Sequence, residues 1–145
     1  MGERLKGKVA IVTGAGSMGP GLGNGKATAI IFAREGAKVM LVDINAKAAE
    51  ETKSIIDKEG GSSIAYAADV SKSADVKKMI DICVQKLGRL DILHNNVGIG
   101  QWGDVIETPE EEWDKVLTIN VKSMFLTCKY AVPVMLKQGG GAIIN

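Results

Sequence analysis

Short β-branched runs alternate along the chain with longer segments whose apolar residues recur every three or four positions. Residues 8–13 (KVAIVT) are apolar on both faces and predict a buried strand, followed by a glycine-rich loop from Gly14 to Gly25. The pattern then predicts a helix over 26–35, stopped by Gly36 as a left-handed cap, and a second strand over 38–43 (KVMLVD). A polar-faced helix follows from 46 to about 59, with Asn45 as its N-cap and Gly60-Gly61 as its stop. A third strand over 63–67 leads to Ser71, which is expected to cap a helix running to 87 and stopped by Gly88. A fourth strand at 90–94, an Asn/Gly loop and one long helix from about 110 to 137 come next. After Gly139-Gly140-Gly141, residues 142–145 look like the opening of a fifth strand.

This β-α-β-α-β-α-β-α-β order, with strands apolar on both faces, predicts an α/β domain. Its core is a doubly wound parallel sheet covered by helices on both sides. The usual strand order brings the carboxyl ends of strands one and four together, and ligands bind at such a switch point. One domain, 1–145, is expected, incomplete at its fifth strand.

The loop after strand one reads Thr13-Gly14-Ala15-Gly16-Ser17-Met18-Gly19-Pro20-Gly21-Leu22-Gly23-Asn24-Gly25-Lys26. Glycines there let backbone N–H groups close on a pyrophosphate, and the next helix adds its positive end. Gly14 to Gly19 spells G-x-G-x-x-G. In that register Pro20 becomes the first helical residue, and the three glycines behind it cost about 1 kcal/mol each relative to Ala. The P-loop spacing fails as well, because Pro20 stands where its first glycine belongs and Ala27 follows Lys26. A long loop, with the helix beginning near residues 24–26, fits better.

Asp43 closes strand two, eighteen residues beyond Gly25. A carboxylate at that position accepts hydrogen bonds from adenosine ribose hydroxyls and repels a 2′-phosphate. Neither Ile44 nor Asn45 offers a cation to hold such a phosphate, so NAD is expected over NADP.

Taken together, Thr13-Gly14-Ala15-Gly16-Ser17, then Gly23-Asn24-Gly25 and the run KATAIIFAREGAKVMLVD resemble the short-chain dehydrogenase/reductase family. The family motif is T-G-x-x-x-G-x-G, and this chain carries about five extra residues, 18–22, between its two parts. Gly21-Leu22-Gly23 and Gly23-Asn24-Gly25 both remain open as the G-x-G. The resemblance implies a Rossmann-type fold and cofactor contacts from Gly14, Ser17, Gly23, Asn24, Gly25 and Asp43. It also places Asp69 and Val70 about the adenine, with Asp69 near its amine. Asn95-Asn96-Val97-Gly98 resembles the family's N-N-A-G, which sets Asn96, Val97 and Gly98 beneath the nicotinamide ribose. Thr118-Ile119-Asn120-Val121 matches T-x-N-V, whose Asn holds a water in the family's proton relay, so Asn120 is the catalytic candidate.

On the long helix, Trp113, Leu117, Met124, Cys128, Ala131 and Met135 form a stripe expected to face inward around a buried Asn120, with a kink at Pro133. The resemblance also implies a catalytic Ser, and a Tyr followed four residues later by Lys. Val70 and Val134 stand four beyond Tyr66 and Tyr130, so the Tyr-Lys pair is absent, and no serine sits in the expected element. The expectation is therefore an oxidoreductase that interconverts an alcohol and a carbonyl. The 145-residue chain is read as an inactive, aggregation-prone fragment of it that binds cofactor only. Gln101-Trp102 is placed at the pocket mouth. The family's habit implies a parent homodimer or homotetramer formed partly through the long helix. The rival readings are a non-catalytic dinucleotide-binding module and a methyltransferase-like nucleoside binder. The latter also places an acid after strand two, but N-N-V-G and T-x-N-V argue against it.

Composition narrows the classes further. Lys plus Arg (18) nearly balances Asp plus Glu (17), and the basic residues are scattered, which argues against a nucleic-acid partner. With one histidine, His94, and no paired Cys/His spacing, no metal site is expected; His94 itself is assigned no role. Cys83 and Cys128 are read as two thiols rather than a disulfide. No run is long enough for a membrane span and the start lacks a signal-peptide core, so a cytoplasmic protein acting on a small molecule is expected.

Overall fold

A computed structural model of the chain describes residues 2–17, 19 and 21–145. Met18 and Pro20, which belong to the extra loop segment, lie outside the described residues. Five parallel strands run in the order β3-β2-β1-β4-β5, where β1 is Val9–Thr13, β2 Lys38–Asp43, β3 Ser62–Ala67, β4 Ile92–His94 and β5 Ala142–Ile144. The helices are α1 (Asn24–Arg34), α2 (Ala46–Lys58), α3 (Ser73–Leu87), α4 (Glu110–Leu117) and α5 (Ser123–Lys137). The chain is thus the Rossmann-type doubly wound fold, with β1 between β2 and β4 at the switch point.

Two apolar layers follow from the period of two along buried strands. Val9 and Ile11 of β1 join Met40, Val42, Met79, Cys83 and Leu126 in one core, with α3 and α5. Val12 joins Val39, Leu41, Ala29, Ile30 and Ile56 in the other, with α1 and α2. Both faces of the sheet are therefore dry at its centre, which is why β1 and β2 read as apolar runs, whereas the edge strands β3 and β5 are half-buried to exposed.

At the opposite end from the switch point, Asp91 is buried just before β4. It accepts from the Val9 N–H at 2.9 Å and takes a bidentate pair from Arg89 Nε and Nη2 at 2.8 and 2.6 Å. Burial pushes the Asp91 carboxyl up, but Arg89 and the Val9 N–H together outweigh it and hold it below the usual range. Cys83 and Cys128 are free thiols, and burial pushes the Cys83 pKa up to about 12.

Three local expectations are corrected. Ser71 does not cap α3: the N-cap is Lys72, with no side-chain cap bond. The charged Asp69 Oδ1 captures the Ser71 N–H (3.0 Å) and hydroxyl (2.6 Å) in a tight turn, which delays the helix to Ser73.

The long helix runs from Glu110 to Lys137 as expected, but a π turn, Thr118–Lys122, lies within it between α4 and α5. Each α-helical residue advances about 100°, so the wider turn rotates the face of α4 away from that of α5. The expected inward stripe fails in its first half: no residue of α4 is buried, and Trp113 is 60% and Leu117 43% exposed, whereas Ala131 and Met135 are buried. Asn120, expected buried, is half-buried on the π turn. Pro133 lies inside α5, which runs through it to Lys137.

Apolar side chains remain exposed along α5 and the sheet edge, among them Phe125, Val132, Leu136 and Ile144. Among the described residues, no helix is long and apolar enough to cross a membrane, and no cluster of three or more metal-ligating side chains occurs.

Candidate functional site

A cleft of about 510 Å³ opens at the carboxyl ends of the strands. Its floor begins with the crossing from β1 to β4. The Asn96 N–H donates to Thr13 Oγ1 at 3.0 Å, Thr13 Oγ1 donates to the His94 carbonyl at 3.3 Å, and Asn96 Nδ2 donates to the Gly14 carbonyl at 3.2 Å. Those bonds lock the two strand ends together beneath the loop.

The glycine loop then reaches α1, whose N-cap is Gly23. With no side chain there, no cap bond occupies the N–H groups of the first turn. Gly23, Asn24 and Gly25 line the cleft, as do Gly14 and Ser17. Gly25 packs so closely on the loop's start that an added Cβ would stand 2.1 Å from the Gly14 oxygen and 2.4 Å from Asn96 Nδ2. Gly21 has nothing within 4 Å of its Cβ position, and Leu22 is exposed. Of the two open registers, Gly23-Asn24-Gly25 is the one seated against β1 and the cleft. The extra segment is closed at its base by Ser17, whose hydroxyl donates to the Gly21 carbonyl and accepts from the Gly23 N–H, both at 3.1 Å.

Asp43, at the end of β2, lines the same cleft. Its Oδ2 accepts from the Gly16 N–H and its Oδ1 from the Asn45 N–H, both at 2.9 Å. Two such bonds use half of a carboxylate's roughly four acceptor sites. Asn45, not Asp43, caps α2, accepting from the Lys47 and Ala48 N–H groups at 3.1 and 3.3 Å. Among the described residues, no Lys, Arg or His lines the cleft.

Asp69 and Val70 form the next wall, with Ser71 beside them. The Ser71 hydroxyl hydrogen bond, reinforced by the Ser71 N–H and by Lys72 3.5 Å away, holds the Asp69 carboxyl below its ordinary range despite partial burial.

Asn96, Val97 and Gly98 continue the lining below. Asn120 reaches the same loop from the π turn: its Oδ1 accepts from the Ile99 N–H and its Nδ2 donates to the Ile99 carbonyl, both at 2.8 Å. All eleven residues expected to bind cofactor therefore converge on one cleft, and Asn120 touches its edge through Ile99. Gln101 and Trp102 do not line it; both are exposed, Trp102 at 96%, because the loop beyond Gly100 turns out to solvent. His94, just beneath, has a buried Nδ1 with no partner, and burial lowers its pKa.

Sequence reasoning overlooked Gly16, Ala48, Ile99 and Ile119, which also line the cleft, and Thr52 behind it. Ala48 and Thr52 lie on an ordinary amphipathic helix and carry no local signal. Gly16 belongs to the quoted motif and is marked by its contact with Asp43.

The short chain dehydrogenase family model matches residues 8–145. An oxidoreductase from Thermotoga maritima of no stated substrate is 46% identical over 141 residues, covering 97% of this chain and 53% of that protein. The crystal structure of hydroxysteroid dehydrogenase from Escherichia coli superposes with a TM-score of 0.89 at 38% identity, covering 97% of this chain and 57% of that one. A 7α-hydroxysteroid dehydrogenase in complex with NADH and 7-oxo glycochenodeoxycholic acid gives the same TM-score and identity over 97% and 52%. The chain spans about half the length of the curated relatives it matches.

Proposed function

Because this chain belongs to the short-chain dehydrogenase family, an oxidoreductase family, we propose that its cleft is the NAD site of an enzyme interconverting an alcohol and a carbonyl. The observation carrying this reading is the pairing, in one cleft, of an uncapped glycine-built helix start with the anchored carboxylate of Asp43. A NADH-bound structural relative of 38% identity supports it.

The donor set fits the cofactor's chemistry. N–H groups of Asn24 and Gly25, at the positive end of α1, receive the diphosphate. Asp43 accepts from the adenosine ribose hydroxyls with its spare lone pairs, and its charge excludes a 2′-phosphate, so NAD is preferred to NADP. Asp69 and Val70 flank the adenine. Asn96, Val97 and Gly98 carry the nicotinamide ribose on a loop that Asn120 holds by clamping Ile99. One amide hydrogen and one lone pair of Asn120 remain for a water, its assigned part in proton transfer. When bound, the nicotinamide takes or delivers the hydride.

The 145 residues act as one dinucleotide-binding unit. They contain no Tyr followed four positions later by Lys, so turnover is assigned to the full-length protein and only cofactor binding to this chain. The exposed apolar face of the π turn and α5, with Val121, Phe125 and Val132, is assigned to self-association of a cytoplasmic enzyme.

The test is NADH fluorescence titration of the full-length protein together with NAD reduction over a panel of secondary alcohols. Saturable NADH binding with turnover is expected. Binding without turnover supports a non-catalytic dinucleotide module instead, and no binding overturns the cofactor assignment.

A further inference from the structure

Behind the proposed adenosine subsite, one peptide group is held from both sides. It joins Ala15 to Gly16, and its two halves point in opposite directions. The Gly16 N–H donates to Asp43 Oδ2 at 2.9 Å, while the Ala15 carbonyl accepts from Thr52 Oγ1 at 2.8 Å. Thr52 is fully buried on α2, with 0% of its surface exposed, and Ala15 is equally buried. No other donor among the described residues reaches that carbonyl.

The hydroxyl has a closer, default acceptor in sequence, the carbonyl of Ala48 four residues back, at 3.2 Å. A Thr on a helix ordinarily makes that local bond. Here the shorter of its two contacts goes instead to a loop residue distant in sequence. The helix also presses on the same peptide from the side: a Cβ on Gly16 would lie 2.5 Å from the Ala48 Cβ and 2.9 Å from Asp43 Oδ2.

From this we infer that Thr52 is a positioning residue for cofactor selection: its hydroxyl fixes the direction of the Ala15–Gly16 peptide and thereby holds the Asp43 carboxylate in its ribose-binding orientation. Thr52 does not line the cleft, so it acts through the Ala15–Gly16 peptide. The inference rests on the NAD reading above. A peptide plane cannot turn one end without the other, so loss of the Thr52 bond frees the Gly16 N–H, and with it one of the two anchors of Asp43.

The test uses the full-length protein with Thr52→Val, which keeps the shape and removes the donor, Thr52→Ser, which keeps the hydroxyl, and Asp43→Asn as reference. Dissociation constants for NAD and NADP are measured by titration, and hydrogen–deuterium exchange is followed in the unliganded peptide covering Ala15–Ser17. Thr52→Val is expected to weaken NAD binding by about threefold to tenfold, the range one neutral hydrogen bond supplies. It should weaken NADP less, so that the NAD-to-NADP preference falls, and exchange at Gly16 should speed up. Thr52→Ser should restore all three. Equal losses for both cofactors, or unchanged exchange at Gly16 in Thr52→Val, overturn the inference while leaving the NAD reading intact. If Asp43→Asn leaves the cofactor preference unchanged, the NAD reading itself fails.

Discussion

Replacing Gly25 with Ala sets two physical rules against each other. Gly25 lies in the first turn of α1, where helix propensity alone favours Ala by about 1 kcal/mol. Its missing side chain, however, is where the loop passes. To bring the Gly14 oxygen from 2.1 Å to the 3.0 Å that real Cβ atoms tolerate, that carbonyl must retreat by about 0.9 Å. The same carbonyl accepts from Asn96 Nδ2 at 3.2 Å, so the retreat also breaks the β1–β4 crossing bond. Overpacking of this kind costs about 1–3 kcal/mol, and the lost hydrogen bond about 1 kcal/mol more. Set against the propensity gain, Gly25→Ala should destabilise by about 1–3 kcal/mol in urea unfolding of the full-length protein. Gly100→Ala is the control: among the described residues nothing lies within 4 Å of its Cβ position and its φ is not left-handed, so its change should stay within about 0.5 kcal/mol. Equal stability of Gly25→Ala and the wild type would refute the close approach on which the register rests.

Three further outcomes follow. At Gly23 an added Cβ meets Ser17 Oγ at 3.4 Å and the Gly16 oxygen at 3.7 Å, both ordinary contacts, so Gly23→Ala should cost under about 1 kcal/mol of stability yet weaken NAD binding about tenfold or more by filling the space of a diphosphate; unchanged affinity in the titration would remove Gly23 from the site. Asp91→Ala leaves the Val9 N–H and Arg89 without their acceptor and should destabilise by about 1–3 kcal/mol in urea unfolding, with NAD affinity preserved because the cleft is at the other end of the sheet; a shift smaller than about 0.5 kcal/mol would contradict it. His94 is a base whose folded pKa burial holds below its ordinary value. Above about pH 6.5 both folded and unfolded forms are neutral. As pH falls below that, the unfolded chain takes up a proton that the folded one refuses, so stability declines. Melting curves from pH 8 to pH 5 should show a steeper loss for the wild type than for His94→Val, and parallel curves would refute the assignment.

The centre of the sheet was legible because β1 and β2 are buried on both faces, and runs such as KVAIVT and KVMLVD admit few other readings. Asn45 as a cap and Gly36 and Gly88 as stops were legible for a local reason: each acts on its own backbone. The site residues of the glycine loop were legible as a set, but their register was not, since Gly21 and Gly23 differ only in what surrounds them in space. The π turn was invisible because a one-residue slip inside a helix leaves no break in the pattern from Thr118 to Lys122, and the spacing of Trp113 and Leu117 gave no sign that no residue of α4 is buried. Ser71 was misassigned because a Ser before a helix looks like a cap until a charged neighbour, Asp69, captures its hydroxyl. Thr52 and Asp91 depend on partners 37 and 82 positions away, and no pattern within a helix or strand announces such pairs.

The most direct measurement is a crystal structure of the full-length protein grown with NAD. The account predicts the diphosphate within hydrogen-bond reach of the Asn24 and Gly25 N–H groups and both adenosine ribose hydroxyls on Asp43. An adenosine bound elsewhere, or an Asp43 carboxylate turned out of the cleft with the cofactor in place, would contradict it.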